Sequence, residues 1–162
     1  MTAILTRPAT YSATTATARR SSIKNLLTTA KTTPVVLSAV RVIVSFLWIC
    51  HGLQGLIGVF GGIDGHGTAV PPSMVEGYSA SLIETVVGAL VLLGLATRIC
   101  AVLCSGVMAF AYFTVHIHLG LFPIENQGEE AVLYCWIFLL IAFAGPGKFA
   151  LDALIRRRRT SR

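Results

Sequence analysis

Four stretches of the chain are apolar almost without interruption, and segments rich in helix breakers divide them. Residues 42–60 carry no formal charge over nineteen positions. A helix rises about 1.5 Å per residue, so a stretch of that length covers roughly the hydrocarbon core of a bilayer. Residues 79–97 and 99–119 repeat the pattern, divided at Arg98 by a connection with room only for a tight reversal. The fourth stretch, residues 129–145, is the shortest, with fifteen uncharged positions between Glu130 and Pro146. Gly61, Gly62, Gly65, Gly67, Pro71 and Pro72 mark the loop after the first stretch, and Pro123, Asn126 and Gly128 mark the loop before the last. The pattern predicts an all-α membrane protein, an antiparallel four-helix transmembrane bundle.

The flanks are different. Residues 1–34 are rich in Thr, Ala and Ser, a composition that buries too little apolar surface to offset the entropy of ordering, and they predict a disordered tail. Residues 23–31 place apolar side chains at helical spacing and suit an interfacial helix along the membrane surface. Arg19 and Arg20 resemble the start of a twin-arginine export signal, but no small-residue cleavage site follows a short apolar core. The membrane domain then takes residues 35–155, and residues 156–162 form a basic tail.

Composition supports the membrane assignment, since 54% of the 162 residues are hydrophobic and only 12% are charged, outside the range of soluble domains. The net charge of +6 does not point to nucleic acid, because the basic residues flank apolar spans and lack interleaved exposed aromatics. They read instead as topology signals. Arg7, Arg19, Arg20, Lys24, Lys31 and Arg41 precede the first span, Arg98 lies between the second and third, and Lys148, the arginines at 156–159 and Arg162 follow the fourth. Four spans with both termini cytoplasmic place all thirteen on the side where lysine and arginine are retained. Arg41, at the edge of the first span, is expected to extend its charge toward the headgroups. Cys50, Cys100, Cys104 and Cys135 all fall inside apolar stretches with no CxxC pair, which predicts buried fillers rather than a disulfide framework.

Ionisable groups inside the spans call for explanation, because a charge at membrane depth costs several kcal/mol unless it is paired or neutralised. By helical rise, His51 and Gln54 on the first helix, Glu84 on the second, Tyr112 and His116 on the third, and Glu130 with Tyr134 on the fourth reach similar depths in the outer half. His51, Gln54, Glu84, Tyr112, His116 and Glu130, with Asn126 from the adjoining loop, predict one outward-facing polar pocket. Glu84 and His116 are the candidate catalytic groups, and His51, Gln54, Tyr112, Asn126 and Glu130 the candidate ligand-binding groups. The plainer alternative is that these side chains only bond one another to fix helix register. His116 and His118, two residues apart, point to nearly opposite faces of a helix and do not make a metal pair. Haem ligation by His51 and His116 has no support beyond the count of histidines, so no metal site is expected.

Several segments together resemble the DoxX family of small four-helix membrane proteins. They are Arg41, the run from His51 to Leu56 (His-Gly-Leu-Gln-Gly-Leu), the run from Leu82 to Gly94 that contains Glu84, Thr97-Arg98, Met108, His116, and the run from Gly145 to Asp152. The likeness covers residues 40–154. Gly55 stands where many members have a lysine, and the polar segment before residue 35 is longer than usual. The resemblance implies a multi-pass protein of the bacterial inner (plasma) membrane that works as a subunit or partner of a quinone-linked redox system. It implies a quinone as the ligand of the outer pocket, with a redox partner subunit supplying electrons, because no flavin, nicotinamide or iron–sulfur motif is present. Whether such a chain is itself an enzyme is left open at this point, as is homo-oligomer formation. Two other classes compete: a small proton-coupled transporter, and a scaffold subunit whose basic tail binds anionic lipid or a partner.

The charge distribution makes one direct prediction. A fluorescent reporter fused after Arg162 is expected to fluoresce and an alkaline phosphatase fused there to be inactive, whereas an active phosphatase would reverse the topology.

Overall fold

The computed structural model describes backbone over residues 10–160 and side chains over residues 32–155. Its elements are helical: α1 (Thr10–Ile57), a 3₁₀ turn (Val59–Gly61), α2 (Val75–Leu93), α3 (Thr97–Ala111), a π-helical turn (Tyr112–His116), α4 (Glu129–Ala144) and α5 (Leu151–Thr160). Among the described residues there is no strand, only an isolated bridge between Gly62 and Thr68. Pro34 lies inside α1, where it lacks the N–H of a ladder bond, and the chain divides there into two units, Met1–Pro34 and Val35–Arg162. Of the segment expected to be disordered, residues 1–9 lie outside the described residues, while from Thr10 onward it is helical. Its alanines and its apolar residues at helical spacing are compatible with that state.

Three helical segments are long and apolar enough to cross a membrane: Thr32–Ile57, Val75–Leu93 and Thr97–His116. The chain is a membrane protein. α4 is apolar too, but its sixteen residues make it shorter than these three. Compared with the expected spans, the first begins well before residue 42, because Arg41 lies within it. The second starts and ends four residues early. Its end is set by Gly94, whose φ of 76° no ordinary helical residue adopts, and Ala96 at φ 46° completes the reversal into α3.

Side chains from α1 to α4 meet in one apolar cluster, with Trp48 from α1, Val91 from α2, Cys104 and Met108 from α3, and Phe138 and Ile141 from α4. Trp48 and Phe138 pack with their rings tilted by 60°, 4.8 Å between centroids. Small residues let the backbones approach: a Cβ on Gly52 would lie 2.8 Å from Cβ of Glu84, and one on Gly88 would lie 3.1 Å from the Trp48 ring. Ser105 on α3 donates to the Cys135 carbonyl on α4 at 2.9 Å.

The basic end of these helices is closed by three charged side chains, and Arg41 does not extend to the headgroups as expected. It is 1% exposed. Its guanidinium donates to the Pro146 carbonyl at 2.9 Å, to Val91 at 2.6 Å, and to the Leu92 and Phe149 carbonyls. The acceptors include two carbonyls at the end of α2: that of Val91, which also accepts from the Gly94 amide at 3.0 Å, and that of Leu92, in the last turn, where a helix runs out of its own donors. Arg98 does the same for α4, donating to Ala142 and Phe143 at 2.8 and 2.9 Å. Asp152 caps α3, accepting from the amides of Ala96 and Thr97 at 3.0 and 3.1 Å and from the Thr97 hydroxyl at 3.2 Å.

Two predictions follow from this closure. Arg41→Met removes the donors that Arg41 supplies to these carbonyls and is expected to cost roughly 3 kcal/mol, read as an early unfolding transition in detergent, with Arg41→Lys intermediate. For Asp152, partial burial pushes the carboxyl pKa up, but the bonds from Thr97 and Ala96 and the nearby Arg41 charge outweigh it and hold the value below the ordinary one. Its contribution is therefore complete above the ordinary carboxylate range and is lost as pH falls through the depressed value. As pH falls through that depressed value the Ala96 and Thr97 amides should lose protection against exchange, and Asp152→Asn should abolish that pH dependence.

Candidate functional site

At the opposite end the helices part around a cavity of about 420 Å³. Close contact of α1 and α2 at Gly52 brings His51 against Glu84, and His51 Nδ1 lies 2.9 Å from Glu84 Oε2. One proton bridges this pair, so the acid is not left as an isolated charge in a medium that penalises one. The environments of the partners differ: the Glu84 side chain is 4% exposed and that of His51 is 56% exposed. Among the described residues no other side chain hydrogen-bonds to Glu84, and the second nitrogen of His51 has no partner.

Gln54, one turn beyond His51, lines the same cavity and donates through Nε2 to the Gly62 carbonyl at 2.8 Å, which ties the following loop over the site. The Val70 amide donates to the Gly55 carbonyl at 2.7 Å, and Val70 and Ile63 of that loop also line the cavity. A Cβ on Gly55 would collide with Ser81 Oγ. A lysine there would need a wider gap between α1 and α2, so the glycine and the close His51–Glu84 approach belong together.

His116 reaches the cavity from the π-helical turn, in which the Ile117 amide bonds five residues back to the Tyr112 carbonyl at 2.9 Å. His116 Nδ1 lies 3.0 Å from the Asn126 carbonyl oxygen. A carbonyl only accepts, so Nδ1 carries a proton in this bond and leaves Nε2 to interact elsewhere. Glu130 and Tyr134 complete the wall from α4.

Five of the expected site residues thus line one cavity: His51, Gln54, Glu84, His116 and Glu130. Tyr112 and Asn126 do not. Asn126 is fully buried, where its amide donates to the Gly120 carbonyl at 2.9 Å and its Oδ1 accepts from the Gly128 amide at 2.8 Å. The Tyr112 hydroxyl stands 3.5 Å from Asn126 Nδ2 and from the Leu121 carbonyl. Both residues shape the loop that orients His116, one step away from the cavity. His118 is exposed and outside the lining. Among the described residues no three metal-ligating groups converge.

Sequence reasoning missed several cavity residues: Trp48, Gly77, Ala80, Ser81, Met108 and Gln127. Gly77 and Ser81 lie seven and three residues before Glu84, and Trp48 three before His51, so the helical repeat itself was the signal. Gln127, with φ 58°, has no such signature. The Nε1–H of Trp48, which lines the cavity, and the hydroxyl of Ser45, which does not, are buried without a hydrogen-bond partner among the described residues.

The family model described as DoxX matches residues 36–117. This chain belongs to the DoxX family. It is 38% identical to an uncharacterized protein of Haemophilus influenzae over 122 residues, covering 74% of this chain and 90% of that one. It is 32% identical to a Bacillus subtilis protein named "Putative oxidoreductase CatD" over 115 residues, covering 71% of this chain and 83% of that one. No solved structure matches the chain significantly. The family match ends at residue 117, so it takes in His51, Glu84 and His116 but not Glu130.

Proposed function

We propose that this DoxX-family chain is a membrane subunit or partner of a quinone-linked redox system, and that its cavity receives the quinone head group. The observation that carries this reading is the His51–Glu84 pair, one partner buried and the other exposed, in a cavity that also holds His116. The named relative described as an oxidoreductase points the same way. In this reading α1 to α4 all cross the bacterial inner membrane, both termini are cytoplasmic, and the cavity opens toward the outer leaflet. That orientation follows the retention of lysine and arginine on the cytoplasmic side.

The residues suit such a group. A cavity of about 420 Å³ lies in the size range of small-molecule sites, and two carboxyl groups and two imidazoles line it beside apolar Met108 and Ala111. When bound, the quinone ring supplies two-electron, two-proton redox chemistry, with electrons exchanged through a partner subunit. The chain itself handles protons. Glu84 holds one on the inner side of the site, His51 links it to the exposed rim where Glu130 also stands, and Nε2 of His116 accepts a hydrogen bond or proton from the opposite helix. Toward the basic end, the Trp48, Val91 and Phe138 layer and Arg41 fill the space between the helices, which favours a one-sided site over a transport path.

The test is to purify the full chain in mild detergent, extract and identify any quinone that accompanies it, and measure its rebinding. Glu84→Gln and His116→Ala are each expected to weaken binding about tenfold, or 1.4 kcal/mol. Undiminished quinone in both variants would remove the reading.

A further inference from the structure

Glu84 borders a second space as well as the polar cavity. A groove of about 500 Å³ runs between α2 and α3, and its walls are mainly apolar, with Met74, Val75, Val107, Phe110 and Val115. Met74, Val75, Phe110 and Val115 are among the exposed hydrophobic residues, and both helices are long and apolar enough to cross a membrane, so this groove faces lipid. The groove and the polar cavity share four residues: Gly77, Ala80, Glu84 and Ala111. Three of them have no side chain or a single methyl. The partition between lipid and the polar site is therefore only one small residue thick, and Glu84 stands in it.

The other edges of the cavity are unsuited to an apolar chain. Ile63 and Val70 of the loop after α1 line it at the top, held down by the Gln54 and Gly55 bonds. Trp48 and Met108 line the floor and are buried. The rim at His51, Gln127 and Glu130 is exposed and polar, fit for proton exchange with water rather than for hydrocarbon. Among the described residues, the α2–α3 seam joins this polar site to an apolar channel.

We infer that the ligand is a membrane-dissolved amphiphile that enters sideways through the α2–α3 seam, with its polar ring beside Glu84 and its apolar chain left in the groove. Resting on the quinone reading, this narrows the ligand class to long-chain quinones drawn from the bilayer and sets aside water-soluble carriers that would enter over the rim. Lodged in the groove, the chain keeps an apolar surrounding while the ring reaches Glu84, and it packs against Val107, Phe110 and Val115 in contacts that a ring alone lacks.

The experiment uses the full chain in lipid nanodiscs with Trp136→Phe, which leaves Trp48, at the cavity floor, as the one fluorophore of its kind. Quenching of Trp48 reports binding of two probes with the same benzoquinone ring, one bearing a ten-carbon chain and one bearing none. Val107→Phe and Thr114→Phe fill the groove without lining the polar cavity, and Val102→Phe adds the same bulk on an exposed face of α3 away from both. The groove variants are expected to weaken the chain-bearing probe about tenfold relative to the chainless one, with Val102→Phe changing neither. Because each variant is read as a ratio of two probes, a general loss of folding lowers both and cannot imitate the result. Equal changes for both probes, with wild-type binding intact, would overturn sideways entry and leave the quinone reading standing. Failure of the wild type to bind either probe would overturn the quinone reading, and the inference with it.

Discussion

A guanidinium held inside an apolar slab is the constraint on which the architecture rests. Arg41 cannot stay buried unless its N–H groups are met, and the acceptors that meet them are carbonyls at the end of α2 and in the segment 146–149. The requirement is mutual: each group would be costly to bury without the other. Arg98 at the end of α4 and Asp152 at the start of α3 follow the same logic, each placing the sign of charge that the helix dipole favours at that end. The helices are thus fastened at one end by side chain to backbone bonds between segments far apart in the chain.

That fastening frees the other end to be hollow. There the contacts are made by glycine and serine, which bring backbones together without filling the space between them. Glu84 is tolerated because His51 shares its proton, and His51 in turn reaches the exposed rim. The site is an acid kept out of water but in contact, through one ring, with groups that are not. Such an arrangement holds a proton close to lipid, which is what chemistry on a membrane-dissolved substrate requires.

The long apolar stretches, their order and the convergence of His51, Glu84 and His116 were legible in the sequence because hydropathy and helical rise depend on few variables. Three things were not. Arg41 read as an interfacial charge, since its partners are backbone carbonyls, and a sequence does not mark which carbonyls a distant side chain will meet. α2 begins at Val75 rather than near Ser79, because Glu76 and Gly77 look like loop residues to a hydropathy window while the backbone through them is helical. Tyr112 was placed in the pocket by assuming a regular helix through residue 116, and Asn126 by its place in the adjoining loop; a π-helical turn stands at 112–116, and both side chains pack within the loop instead.

That widened turn also carries a consequence for comparing this chain with its relatives. A turn closed five residues back accommodates one residue more than its regular counterpart, and each residue is worth about 100° of rotation about the helix axis. A homologue in which the turn is regular would present the neighbour of its aligned histidine to the hollow, even if every aligned letter were the same. Identity of sequence at the end of α3 therefore does not guarantee identity of phase, and a one-residue deletion there would recast the lining of the site without altering any side chain that the lining contains.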